Sequence, residues 1–134
     1  MRYNILFISL LFFIPACSEN PLMPESAAKH FVHSYFVKEK RNDLLKNVTG
    51  SARLKLDAEN EYSKHLDIQD IEIETPSVFQ LIDSFQVDQE HRQYIFSILY
   101  HGSTSRLETL QITVVNMSGE WKVSDYHFIG TVDL

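Results

Sequence analysis

The sequence predicts an α+β fold, with N-terminal helices packed on a curved antiparallel sheet of about four long strands. Three observations lead there. Apolar residues recur at helical spacing through the first half of the chain, and from Ile68 onward they recur at every second position. Four long strand-like runs then follow one another. The gaps between them are only a few residues long, which suits hairpins, whereas a parallel step would need a crossover of a dozen or more residues. The chain has 134 residues, 44% of them hydrophobic, which is enough for one core and too little for a multi-domain enzyme. A single cysteine, Cys17, excludes a disulfide scaffold and a zinc-cysteine site.

In chain order, the first four residues carry one positive side chain, Arg2, and residues 5–14 form an apolar run whose only polar member is Ser9. That run is too short to cross ~30 Å of hydrocarbon, which takes about 20 helical residues, but it has the length of a secretory h-region. Ile14-Pro15-Ala16-Cys17 comes next. The segment resembles the lipobox of bacterial lipoproteins, with Pro15 an uncommon residue inside it. The resemblance implies that residues 1–16 are a signal peptide and that Cys17 carries diacylglycerol and fatty acyl groups. Several acyl chains hold a protein firmly to a bilayer, because each buried methylene contributes about 0.8 kcal/mol. Ser18 is a residue that the family's sorting rule accepts for transfer to the outer membrane, so the implied address is the periplasmic side of that membrane. Two other readings stay open: an ordinary signal peptide cut after Ala16, and a buried N-terminal strand with a free thiol.

Residues 17–24 then form the lipidated cysteine and a tether, since Pro21 and Pro24 favour an extended chain. Residues 25–134 make the single domain. Ala28, Phe31, Val32, Tyr35 and Phe36 repeat at helical spacing, and Glu25 suits the first turn, so a helix is predicted over 25–40 with Lys29, His33 and residues 38–41 toward water. Asn42-Asp43 caps a short second helix through Leu44 and Leu45, ending near Thr49-Gly50. A third helix begins near Ser51, with Leu54, Ala58, Tyr62 and Leu66 on one side.

Residues 67–75 alternate Ile68, Ile71 and Ile73 with acids and read as an edge strand or a linker, ended by Pro76. The strands are predicted over 78–87, 93–101, 107–116 and 121–129. By parity, one face carries Phe79, Leu81, Phe85 and Val87, then Tyr94, Phe96, Ile98 and Tyr100, then Leu110, Ile112 and Val114, and finally Trp121 and Val123. That face should hold the first helix. Ile82, Ile95, Leu99, Val115, Tyr126 and Phe128 fall on the opposite face, where a partner could cover them.

A first helix holding Ala27-Ala28 and Phe31, a second at Asn42-Asp43-Leu44-Leu45, and a meander ending in Gly119-Glu120-Trp121-Lys122-Val123 resemble the nuclear transport factor 2-like, cystatin-like proteins. The resemblance covers about residues 24–129 and is one of layout. It implies a cone-shaped α+β domain whose members include hydratases, isomerases, transport factors and inhibitors, so function has to be argued from a site.

Acids outnumber bases by 18 to 12, which argues against nucleic acid as a partner. No phosphate loop, dinucleotide fingerprint or nucleophile elbow is present, so no nucleotide cofactor is expected. His30 and His33 stand three apart on the first helix and His65, His91 and His101 are scattered, without the spacing of a metal site. Three residues are weak candidates for catalysis. Asp83 is the one acid on the apolar side of its strand, and Asp125 and His127 share the side of Trp121 and Val123; a carboxylate in such a cleft is a proton-transfer base in enzymes of the resembled fold. Two functions therefore compete: a non-catalytic, lipid-anchored module for an envelope protein or a small apolar ligand, and a small isomerase or hydratase. The enzyme requires Asp83 or His127 to point into an enclosed pocket beside a second polar group.

Overall fold

A computed structural model describes residues 23–36, 41–65, 75–102 and 104–134. The predicted leader, Cys17, most of the predicted tether, residues 37–40 of the first predicted helix and nearly all of the 67–75 segment lie outside the described residues. Within them, the chain forms α1 (Pro24–Tyr35), α2 (Arg41–Leu44), α3 (Gly50–His65), β1 (Val78–Gln86), β2 (His91–Tyr100), β3 (Arg106–Met117) and β4 (Glu120–Asp133). The strands form one open antiparallel sheet in the order β1-β2-β3-β4, so the α+β class and the meander are as the spacing predicts.

Pro24 starts α1 rather than ending the tether. It occupies the first helical turn, where the N–H it lacks would have no helical partner anyway. Ala28, Phe31 and Val32 are buried, and α1 lies over β3 and β4 while also reaching β2. Beneath it sit Tyr94, Phe96, Ile98, Leu110, Ile112, Val114 and Val123, all buried and all on the face the parity assigned to the core. Trp121 is half-buried at its margin, with the Arg92 guanidinium 5.5 Å from its ring centre.

Bulges correct the parity elsewhere. In β1 the pairing passes from Leu81↔Phe96 to Asp83↔Ile95, so Ile82 is an extra residue and everything after it changes face. Asp83 therefore leaves the apolar side, and Phe85 is 47% exposed instead of core. In β4 the pairing passes from Val123↔Val114 to Asp125↔Thr113, so Ser124 is extra and Tyr126 turns inward opposite Ile112, 3% exposed. Tyr126 and Phe128 thus belong to the parity of the core face, contrary to the simple alternation.

The hairpin joining β3 and β4 is a two-residue turn at Ser118 (φ +56°) and Gly119 (φ +88°), the positive-φ pair that matches strand twist. Asn116 Oδ1 accepts the Gly119 N–H at 2.8 Å. Between β1 and β2, Asp88 accepts N–H bonds from Glu90 and His91 and a 2.8 Å contact from the His91 ring. That ring contact, followed by the Glu90 N–H, holds the Asp88 carboxyl below its usual range.

The third helix packs on a face other than the one predicted. Leu54 and Tyr62 are 72% and 68% exposed, and the buried stripe is Ala52 and Leu56. The reason is what α3 packs against: it meets the edge of β4, whose backbone carbonyls call for polar partners, rather than a flat apolar face. The second helix is also shorter than predicted. After Leu44 the chain is drawn into a parallel bridge, with Thr49 N–H donating to Val123 O at 2.8 Å and Val123 N–H to Asn47 O at 3.0 Å. Gly50 (φ +53°) then opens α3 instead of closing α2, and a Cβ there would stand 3.3 Å from Ser124 O.

Candidate functional site

Because α1 sits toward β3 and β4, the inner face of β1 is left partly uncovered. A half-open groove of about 530 Å³ lies there, within the size range of small-molecule sites. Its floor is apolar: Phe79 and Leu81, half-buried, with Phe96 and Val32, both buried. Its α1 wall carries Lys29, His30, His33 and the buried Ser34. These follow from helical geometry, since positions 29, 30, 33 and 34 lie one turn apart on the flank of α1 next to the buried stripe. Lys29 Nζ is 2.6 Å from Glu25 Oε1, and the His33 ring centre is 6.4 Å from that of Phe79. Phe36, 5.5 Å from Phe79 and 6.2 Å from Tyr100 between ring centres, adds an aromatic cluster at the C-terminal end of α1.

The other flank of α1 is filled by a polar cluster. Glu59, on α3, accepts hydrogen bonds from the Tyr35 hydroxyl at 3.1 and 3.2 Å and from the Tyr126 hydroxyl at 2.8 Å. Burial first, and then the bond to Glu59, push the Tyr126 phenol well above its ordinary value of 10.0. Lys55 donates to Asp125 Oδ1 at 2.6 Å and to Tyr126 O at 2.7 Å, and Ser51 donates to the same carboxylate at 2.5 Å. Burial raises the Asp125 pKa, but the bonds from Lys55 and Ser51 outweigh it and leave the group below its ordinary value. An acid held ionised in this way supports structure and is a poor proton acceptor.

None of the three catalytic candidates lines the groove. Asp83 is exposed, and its Oδ1 accepts the N–H of the adjacent Ser84 at 2.8 Å. Asp125 is engaged by Lys55 and Ser51. His127 is exposed, and its Nδ1 lies 3.7 Å from Asp125 Oδ2, so the structure brings these two near one another but not within a hydrogen bond. Asp83 and His127 end one rung of the outer face, Asp83–Ile95–Gln111–His127. Three strand spacings separate them, about 14 Å, too far for shared chemistry.

Of the histidines, His30 and His33 share the groove wall, His91 begins β2 with its ring on Asp88 and His101 Nδ1 is 3.4 Å from Ser105 Oγ. Among the described residues no group of three or more His, Cys, Asp or Glu is placed to hold a metal, and no helix is long and apolar enough to cross a membrane. The groove residues were not singled out as a set in the sequence, because nothing in the period of α1 says how far across the sheet it will sit. The only signal was the His30/His33 spacing. No protein-family model, curated protein or solved structure matches the chain.

Proposed function

We propose that the chain is a lipid-anchored envelope protein, held by acyl groups on Cys17 at the periplasmic side of the outer membrane. Its domain, of the nuclear transport factor 2-like or cystatin-like type, serves as a non-catalytic module that binds an envelope protein or a small apolar ligand. The groove between α1 and β1 is the observation that carries the binding reading: an apolar floor, an open mouth and polar groups along one wall. The leader residues Ile14-Pro15-Ala16-Cys17 and Ser18 support the address. The order of elements, two helices ahead of a third and then a four-stranded meander, supports the fold type. The alternative of a small isomerase or hydratase drew on Asp83, Asp125 and His127, and it gains nothing from their positions outside the groove.

Two measurements test the proposal. Metabolic labelling with an alkyne fatty acid should tag the wild type in the membrane fraction and leave Cys17→Ser untagged; label that survives the substitution refutes the anchor. In living cells, a benzophenone side chain introduced at position 33 should cross-link a ligand or an envelope protein, whereas one at position 62, exposed on α3, should not. Equal capture at both positions, or capture at neither, refutes the groove as the binding site.

A further inference from the structure

The charge around the groove differs from that of the chain as a whole. The chain carries 18 acids against 12 bases, yet the groove is lined by one lysine, two histidines and one serine among its polar residues and by no carboxylate. The neighbouring acid is Glu25, already bound to Lys29 at 2.6 Å. The polar groups are also one-sided: Lys29, His30, His33 and Ser34 all belong to α1, whereas β1 and β2 contribute Phe79, Leu81 and Phe96. A ligand fitting both walls needs an apolar body against the strands and an acceptor group toward the helix. An imidazole N–H or a lysine ammonium bonds an anionic oxygen more strongly than a neutral one.

We propose that the groove binds a small apolar carboxylate, its hydrocarbon on Phe79, Leu81 and Phe96 and its carboxyl group toward His30 and His33. This rests on the binding reading above and names its ligand class. The volume of about 530 Å³ accommodates a medium-length chain, and the open mouth lets the carboxyl group keep part of its hydration. Lys29 lines the same wall but is paired with Glu25, so the bonds to the carboxyl group come from the two histidines.

The test uses the full chain in its membranes, irradiated with an eight-carbon carboxylate bearing a mid-chain alkyl diazirine, with adducts mapped on peptides. Adducts are expected on α1 residues 29–34 and β1 residues 79–81. Octanoate should displace the probe at concentrations about tenfold below those needed for octanol, the gap expected of one charge-assisted hydrogen bond. Exchanging both exposed histidines, His30→Gln with His33→Gln, should reduce labelling and erase that gap while leaving thermal stability unchanged. Leu81→Trp, which fills the floor, should abolish labelling, and a melting curve shows whether it folds. Octanol competing as well as octanoate, an unchanged gap in the double histidine variant, or adducts only outside the groove would overturn the carboxylate proposal. Absence of adducts overturns it too, and capture by the benzophenone at position 33 tells whether the binding reading falls with it.

Discussion

The sheet has two edges, and the chain treats them differently. Along β4, the bridge from Val48 to Val123 pairs part of the strand, and Ser51 and Lys55 donate to the carbonyls of Ser124 and Tyr126. Glu59 then joins the hydroxyls of Tyr35 and Tyr126, tying α3 to α1 and β4 together. Along β1, the ladder to β2 is the only strand pairing among the described residues, and the bulge at Ile82 interrupts it. A bulge spoils an edge as a template for further strands. One flank is thus closed by bonds that α3 supplies, and the other is left open between α1 and β1. Stability should concentrate on the first and binding on the second.

Apolar truncations on the two flanks test this most strongly. Leu56→Ala removes a side chain that is 1% exposed between α3 and the sheet, and should cost about 2–5 kcal/mol. Leu81→Ala trims a half-buried side chain at the floor of the groove. It should cost about 1 kcal/mol, near half the value for burying a whole leucine. Urea denaturation of both variants measures the gap, and equal losses would mean that the flanks are energetically alike.

The same contrast explains what could be read from the residues alone. The four strands and their turns were legible because alternation and short gaps depend on nearest neighbours in sequence. The core face was legible through Tyr94, Phe96, Ile98, Leu110, Ile112 and Val114, where pairing is regular. It failed at Ile82 and Ser124, because one extra residue inverts every later side chain and alternation carries no mark of it. It failed again on α3, where half-buried Lys55 and Glu59 flank the buried Ala52 and Leu56. Only knowledge that the helix meets a strand edge makes a lysine and a glutamate fit there. Of the candidate site, His30 and His33 were noticed for their spacing, and their common wall emerged only once α1 was placed on the sheet.

An intermediate effect is expected at the polar cluster. Glu59→Gln replaces the charged acceptor that both tyrosine hydroxyls share at Oε1 with a neutral amide oxygen, and exchanges the second oxygen, 3.1 Å from the Tyr35 hydroxyl, for N–H₂, at a cost of about 1–3 kcal/mol. The cluster should also make stability fall in alkali. Because the folded-state pKa of Tyr126 is raised above 10.0, the stabilisation is complete below pH 10 and declines as pH rises beyond it, where the unfolded chain loses its phenolic proton first. Tyr100 and Tyr94, raised by burial in the same sense, add to that decline. Tyr126→Phe should therefore flatten the fall of stability between pH 10 and 12, measured by urea midpoints, and a slope equal to the wild type's would show that Tyr126 titrates normally.

The smallest effect is expected at Asp125. Its pair with Lys55 is short, 2.6 Å, but the two side chains are 38% and 41% exposed, so solvent screens the attraction. Asp125→Asn should cost at most about 1 kcal/mol at neutral pH. The sign of its pH dependence is opposite to that of the tyrosines. With the folded pKa below 3.8, the contribution is present above that value and disappears as pH falls through the folded pKa, where the native carboxylate finally takes a proton. The variant should thus lose less stability than the wild type on acidification below pH 4. If instead Asp125→Asn keeps the wild-type acid slope, the carboxyl is not held below its ordinary range and the bonds from Lys55 and Ser51 do not outweigh its burial.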